Sequence, residues 1–463
     1  MGTGGANYFG VNMTKAMGLA RDLDRPLDAD QDFGRGAIWD TLSDDIANAN
    51  IPPPPMGLAV SRPVLTHVRV RDQIKAAVIA GCGDDTFEGT AGLAMSDGAG
   101  RCVMVLDATT GALIRKFGFL DNFAMTYPFT GSPVAYPADG VAPADRAYIG
   151  DRQGRLWRMD LRAADPADWT IEIAFPLIVQ GQVDPDQAIG YELGREVVDR
   201  PSLSLRADGG LVVVFGTGER SVAGGTGRSF MVSFTDRPRV DADGDVAFEV
   251  TPNWVMPLGN NERATGATIV RSETAYFTTR QAVEGDGCAE AVGRLYGIHS
   301  YFRYTDADGA PDTFQASDGR DLDVVPALTQ FGANGEPLGQ KGLSIILPEG
   351  RVAYGLAITR TPSCVDGQAA STDLILNLAD ESAGGQAGIQ GEAAANSSKL
   401  EVVENDAVRE LPLRGRVFAR GQGVEFDLCL DCKPDGTVAV GATGGSLTPF
   451  PTEVMYWGST FLN

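Results

Sequence analysis

Two stretches of the chain share a hairpin pattern that constrains the fold more than any other feature. Each has an apolar run of four or five residues, a polar corner that contains Gly, and a second apolar run; they span residues 102–114 and 146–160, and a strand-like stretch at 60–65 precedes them. Apolar runs bounded by turn residues predict antiparallel strands. Because the unit recurs, we predict a radial β-architecture in which each blade is a small twisted sheet.

The glycine content agrees with a chain of many short strands. Glycine supplies 58 of 463 residues, whereas an average protein contains roughly 7%. The glycines show no collagen-like period, so they indicate frequent tight turns. The length allows one large or two ordinary domains, and the 43% of hydrophobic residues is enough for a core.

The net charge excludes several kinds of partner. A formal charge of −23 argues against nucleic acid, whose binding proteins present a basic face, and against anionic lipid. The acidic residues either form a solubilising surface or, in part, bind a divalent cation. The sequence contains no run of 18 apolar residues, which a transmembrane helix would need. We therefore expect no membrane insertion.

Four segments together resemble a known family. They are VLDATTGALI at 105–114, SPVAY at 132–136, DRAYIGDRQGRLWRMDL at 145–161 and VVVFGTGER at 212–220. In this order they resemble the C-terminal, quinoprotein-like β-propeller of the PilY1 family of type IV pilus proteins, over residues 4–364. The resemblance implies an all-β fold, a β-propeller with long inter-blade loops.

The resemblance also implies a function without catalysis. Members of the family are pilus biogenesis factors and tip adhesins, so the propeller would serve as a platform for pilus assembly and surface attachment. The implied partners are minor pilins, the pilus machinery and a surface or host ligand. The implied location is the cell surface and pilus tip, reached through the periplasm and outer membrane.

The start of the chain conflicts with that location. Residues 1–5 lack the basic and apolar regions of a signal peptide, and residues 1–16 resemble an element inside a propeller blade. We therefore expect the chain to be a fragment that lacks the family's N-terminal region and the first blade or two.

The chain divides into three predicted regions. Residues 1–375 form the propeller, residues 376–413 are a low-complexity loop, and residues 414–463 contain strands, the last of which, at 454–461, would close the ring. Among the inter-blade loops, the long ones are expected to contact partners. They lie at 82–100, 221–227, 280–292 and 380–398.

Six cysteines favour disulfides in an oxidising compartment. Their spacing suggests three local pairs; the alternative is six reduced core thiols. One C-x-x-C motif with two histidines in the whole chain is too little for a zinc site. The pairs are Cys82 with Cys102, Cys288 with Cys364, and Cys429 with Cys432, and the histidines are His67 and His299.

Three Asp-rich turns are candidate calcium sites. Hard oxygen ligands on a tight Gly turn can converge on one Ca²⁺, although Asp and Gly are also the residues that ordinary hairpin turns prefer. The candidates are Asp306, Asp308 and Asp312; Asp241, Asp243 and Asp245; and Asp139 and Asp145. The last loop stands where the family usually carries its calcium loop, and it retains only two of the acidic residues.

An enzymatic alternative is a quinone-dependent dehydrogenase. Such enzymes share the propeller and hold pyrroloquinoline quinone (PQQ) over Ca²⁺, in many cases on a disulfide between adjacent cysteines. This chain has no adjacent cysteines, so we expect no PQQ, and Trp157 is interpreted as a core residue. The other alternative is a secreted propeller that binds glycans or proteins without a pilus.

Overall fold

The fold is built almost entirely from antiparallel strands, as the computed structural model shows. A single-turn 3₁₀ helix at Pro166–Asp168 lies between two of them. No helix among the described residues is long and apolar enough to span a membrane. The described residues are 9–11, 37–40, 56–57, 59–84, 99–137, 142–175, 196–197, 199–218, 229–240, 246–271, 273–282, 291–316, 319–331, 337–347, 351–361, 371–380, 402–404, 407–409, 416–418 and 425–427.

The first four-stranded sheet is a meander of neighbouring strands. A separate pair, β1 (Phe9–Val11) and β2 (Ala37–Asp40), precedes it. The sheet order follows the chain. Strand β5 is buried along its whole length, which explains its continuous apolar run. The strands are β3 (Val64–Val70), β4 (Gln73–Gly81), β5 (Val103–Asp107) and β6 (Leu113–Phe117).

Two further four-stranded sheets follow the same plan. Their orders are β10-β9-β8-β7 and β11-β12-β13-β14. The first contains β7 (Val134–Tyr136), β8 (Arg146–Gly150), β9 (Leu156–Asp160) and β10 (Thr170–Phe175); the second contains β11 (Ser202–Leu205), β12 (Leu211–Gly216), β13 (Phe230–Val240) and β14 (Val246–Pro257).

A larger sheet has the order β15-β17-β18-β21, with β16 paired to β17 and β24 paired to β18. Its strands are β15 (Glu262–Ala264), β16 (Ile269–Arg271), β17 (Thr274–Gln281), β18 (Val292–Arg303), β21 (Val324–Pro326) and β24 (Ser344–Ile346). The remaining described strands form two-stranded pairs: β19 (Phe314–Gln315) with β20 (Asp321–Leu322), β22 (Leu328–Phe331) with β23 (Pro337–Gly342), β25 (Arg351–Thr361) with β26 (Ser371–Asp380), β27 (Val402–Glu404) with β28 (Ala407–Arg409), and β29 (Arg416–Phe418) with β30 (Glu425–Asp427).

The chain forms two compact units, each with a hydrophobic core. The first comprises the described residues within Met1–Ile149 and Trp157–Glu172, and the second those within Gly150–Leu156 and Ile173–Ala439. Cys82, Cys102 and Met104 belong to a cluster of buried residues in the first unit. Trp254 and Tyr296 belong to one in the second.

The predicted all-β class and the two defining hairpins are confirmed. The chain forms β15 and β16 as separate strands with a break between them. Gly266 lies in this break with φ +80°, a conformation that interrupts a strand. The predicted region boundaries at 375 and 413 stay predictions. The predicted closing strand at 454–461 lies outside the described residues and also stays a prediction.

Candidate partner-binding site

The turn between β5 and β6 shows why the Asp-Ala-Thr-Thr-Gly motif folds as it does. The Asp107 carboxylate accepts hydrogen bonds from the Thr109 backbone N–H at 2.9 Å, the Thr109 hydroxyl at 2.6 Å and the Thr110 backbone N–H at 3.2 Å. Lys75 Nζ lies 3.3 Å from its second oxygen. Burial opposes ionisation of Asp107, but these hydrogen bonds outweigh it and hold its pKa below its ordinary value. Gly111 takes φ +74°, which a glycine adopts without strain.

The same arrangement closes the β8–β9 hairpin. The buried Asp151 carboxylate accepts hydrogen bonds from the backbone N–H groups of Gln153 at 2.9 Å and Arg155 at 3.0 Å, and from Arg155 Nε at 2.6 Å. Gly154 takes φ +87°. Asp residues at these corners therefore act as acceptors for the turn backbone.

The predicted calcium residues at 306–312 use their carboxylates in this structural way. Asp306 Oδ1 accepts hydrogen bonds from the backbone N–H groups of Asp308 at 3.0 Å and Ala310 at 2.8 Å. Asp312 Oδ1 accepts one from the Thr313 N–H at 2.8 Å. Within the described ranges, no three His, Cys, Asp or Glu side chains are grouped so that they could hold a metal ion. Calcium binding at this loop stays a prediction.

The other candidate calcium residues are placed as follows. Asp145 Oδ1 lies 3.0 Å from Arg146 Nε. Asp139, Asp241, Asp243 and Asp245 lie outside the described residues, so calcium binding at their loops stays a prediction.

The structure contains the first of the three predicted cysteine pairs as a disulfide. Cys82 and Cys102 are joined, with their Cα atoms 5.2 Å apart. They connect the end of β4 to the start of β5, and both are buried. Cys288, Cys364, Cys429 and Cys432 lie outside the described residues. Most residues of the four predicted partner loops also lie outside the described residues.

A segment that the sequence analysis did not single out exposes large apolar side chains. This segment, residues 118–127, follows β6 and is called the aromatic loop below. Leu120 is 89% exposed and Phe123 is 72% exposed. Phe119 is also exposed, and its ring packs edge-on against that of Phe123 at 5.2 Å between centroids. Exposed apolar side chains grouped in this way are typical of interaction surfaces.

Hydrogen bonds hold the aromatic loop in one conformation. Asp121 accepts a bond from the Gly118 N–H at 2.9 Å and forms an ion pair with Arg115 at 2.7 Å. Asn122 donates to the Ile171 carbonyl at 3.0 Å and accepts from the Ala124 N–H at 3.0 Å. The exposed side chains are therefore carried by an ordered turn.

A small pocket opens beside this loop and next to the disulfide. Its volume is about 290 Å³. Two cationic side chains, an aromatic ring and a buried methionine line it. The lining residues are Arg101, Cys102, Lys116, Gly118, Phe119, Met125 and Thr126.

The two cations of the pocket have no anionic partner within hydrogen-bonding distance among the described residues. Burial lowers the pKa of Lys116 from its ordinary value, and the charge of nearby Asp121 opposes this only in part. A bound anion would relieve the desolvation of the Lys116 ammonium. The pocket can thus accept a carboxylate beside an apolar group.

The sequence carried one signal for this site. Residues 118–127 read GFLDNFAMTY, with four large apolar residues at a position predicted to lie between strands. The interpretation of Trp157 as a core residue is confirmed: it is fully buried, and its ring centroid lies 5.5 Å from that of Phe129.

The described geometry contains both the disulfide and the hairpins that carry the family motifs. Residues 1–226 match the family model of the PilY1 β-propeller domain. The matched part is 226 of the 463 residues, and it is this part of the chain that is similar to the PilY1 β-propeller domain. The match relates residues 1–226 to a family of type IV pilus proteins, and the aromatic loop and its pocket lie inside the matched residues.

Solved structures give weaker likenesses. The Pseudomonas aeruginosa PilY1 C-terminal domain is 15% identical, with 73% of this chain and 75% of that chain covered and a TM-score of 0.44. Saccharomyces cerevisiae Sqt1 is 10% identical, with 66% and 54% covered and a TM-score of 0.30. The quinohemoprotein alcohol dehydrogenase of Comamonas testosteroni is 15% identical, with 63% and 42% covered and a TM-score of 0.25. A comparison with curated proteins found no match.

Proposed function

We propose that the protein is a non-enzymatic factor in type IV pilus assembly and surface attachment, in which the propeller serves as a platform for partner proteins. The observation that carries this proposal is the match of residues 1–226 to the PilY1 β-propeller domain. The proposed partners are minor pilins and the pilus machinery, with a surface or host ligand for adhesion. The proposed location is the cell surface and the pilus tip.

The local structure supports a platform role. Hairpins such as β5–β6 and β8–β9 are closed by Asp side chains that bond the turn backbone, and the Cys82–Cys102 disulfide joins two neighbouring strands. These features fix the loops between strands. A rigid scaffold that presents loops is a common way to build a recognition surface.

Pilus counts test the assembly role. The gene is deleted, and surface pili are counted by electron microscopy in the deletion strain and in the same strain complemented with the full gene. Loss of pili that the full gene restores is the expected result. Normal pilus numbers in the deletion strain would contradict the assembly role.

Adhesion is measured separately in the complemented strain. Variants that keep pilus number are compared for attachment to abiotic and host-cell surfaces. We expect attachment to fall when exposed residues of the platform are changed while pili persist. If attachment always follows pilus number, the separate adhesin role is wrong.

A further inference from the structure

The aromatic loop combines exposed apolar side chains with a backbone held by hydrogen bonds. Most of the surface of Leu120 and Phe123 is exposed to solvent, yet the loop that carries them is held by the hydrogen bonds of Asp121 and Asn122. A surface that is already ordered loses little conformational entropy when it binds. Exposed aromatic side chains on an ordered turn are therefore suited to protein recognition.

The pocket beside the loop adds a preference for charge. Arg101 and Lys116 line it, and neither forms an ion pair or a hydrogen bond with a described residue, although the charge of Asp121 acts on Lys116. The whole chain carries a formal charge of −23, so a pocket lined by two cations runs against the overall charge. Their charge is complementary to a carboxylate, which would form charge-assisted hydrogen bonds there.

The size of the site favours a protein segment over a small molecule as the ligand. The pocket volume of about 290 Å³ lies at the lower end of the roughly 300–1,000 Å³ of small-molecule sites. Leu120 and Phe123 do not line the pocket, so a small acid inside it would leave them in water. A polypeptide can fill the pocket with one residue and cover these two side chains with its neighbours.

A second copy of the chain fits the charge less well. In a two-fold interface the same patch meets itself. Such pairing would bring Arg101 and Lys116 of one copy towards the same cations of the other. Nucleic acid and anionic lipid are opposed by the net charge of −23.

We propose that the aromatic loop and its pocket bind a segment of a partner protein in which an Asp or Glu stands next to an aromatic or aliphatic residue. The carboxylate contacts Arg101 and Lys116, and the apolar side chain packs on Phe119 and Phe123. This inference rests on the proposed function for the class of partner, a protein.

A random dodecapeptide display library, selected on the immobilised full chain, tests the chemistry. Peptides that carry an acidic residue beside an apolar one are expected to be enriched. A selected peptide is then synthesised with a fluorescent label, and its affinity is measured by fluorescence anisotropy. Enrichment without carboxylates, or no enrichment at all, would overturn the proposal.

Variants locate the binding site. Arg101→Gln combined with Lys116→Gln, and separately Phe123→Ser, should each weaken the peptide at least about tenfold, as expected for the loss of a charged hydrogen bond or an apolar anchor. The matched controls are Arg69→Gln and Leu65→Ser on β3, whose side chains are exposed in the same unit. Equal affinity in wild type and variants that keep the wild-type circular dichroism spectrum would overturn the proposal.

Two further measurements test the alternative ligands, a small acid and a second copy of the chain. Benzoate is titrated as a small carboxylate with an aromatic ring; binding as tight as the peptide would assign the pocket to small acids. Sedimentation detects a second copy; a dimer that Phe123→Ser dissociates would assign the surface to self-association. Either result would overturn the partner assignment.

The two proposals can fail independently. If deletion of the gene leaves pili intact while the peptide still binds through Lys116, the pilus function is wrong and the site stands. If deletion removes pili but the Arg101 and Lys116 variant neither loses pili nor binds peptide less tightly, the site is wrong and the pilus function stands.

Discussion

Replacement of Glu262 by Ala should destabilise the second unit strongly. The Glu262 side chain is buried, and its Oε1 accepts hydrogen bonds from Thr279 Oγ1 at 2.6 Å and the Tyr296 hydroxyl at 2.8 Å. Its Oε2 accepts one from the Gly259 N–H at 2.7 Å. Arg294 lies 3.6 Å away. Burial, followed by the charge of Glu262, raises the pKa of Tyr296, so the phenol stays a donor at any working pH.

The magnitude follows from the groups that the substitution leaves behind. The hydroxyls of Thr279 and Tyr296 are both buried, and each would lose its acceptor at a cost of about 1–3 kcal/mol. With the loss of the nearby Arg294 interaction, the free energy of unfolding should fall by about 3–5 kcal/mol, as for other broken buried networks. At roughly 2–4 °C per kcal/mol for a unit of this size, the melting temperature should fall by about 10 °C.

Differential scanning calorimetry of the full chain measures this change. The matched control is Glu249→Ala, which removes an exposed ion pair with Arg239 at 3.4 Å; we expect a cost of about 1 kcal/mol or less. The isosteric Glu262→Gln should lie between the two, because an amide keeps one acceptor. A melting temperature of Glu262→Ala equal to that of the control would refute the reasoning.

Further predictions concern the first unit and calcium. Replacing both Cys82 and Cys102 by Ala should cost about 3 kcal/mol, since their sequence separation is 20; free thiols at both in non-reducing peptide mapping would contradict the pairing. The folded-state pKa of Asp107 is lowered from its ordinary value of 3.8, so the stability that its carboxylate contributes is complete above that pH and is lost as the pH falls through the folded pKa. Asp107→Asn should therefore reduce the acid dependence of the melting temperature below about pH 4, and an unchanged dependence would contradict this. Gly81→Ala should cost about 1–3 kcal/mol, because a Cβ there would overlap a backbone carbonyl oxygen; denaturant unfolding measures it, and a neutral effect would contradict the close packing. The calcium hypothesis for the three Asp-rich loops predicts a higher melting temperature in millimolar calcium than in chelator, and no difference would remove it.

Much of the fold could be predicted because its signals are local. The hairpin of β5 and β6 depends on two apolar runs and on Asp107 and Gly111 at the corner, and these residues act on backbone atoms a few positions away. At Asp306, whose carboxylate accepts hydrogen bonds from its own turn, the residue pattern left calcium binding and an ordinary hairpin turn as alternatives, because both use Asp and Gly.

The sequence by itself determined the all-β class, the hairpin corners and the resemblance to the PilY1 family, because strand and turn formation depend on residues that are close together in the sequence. Only the tertiary structure decided which apolar residues stay exposed. Phe117 and Phe119 are two positions apart, yet the first is buried and the second lies open beside the pocket. The placement of Arg101 and Lys116 on one pocket was likewise decided by the tertiary structure, since burial and contact depend on which strands and loops become neighbours.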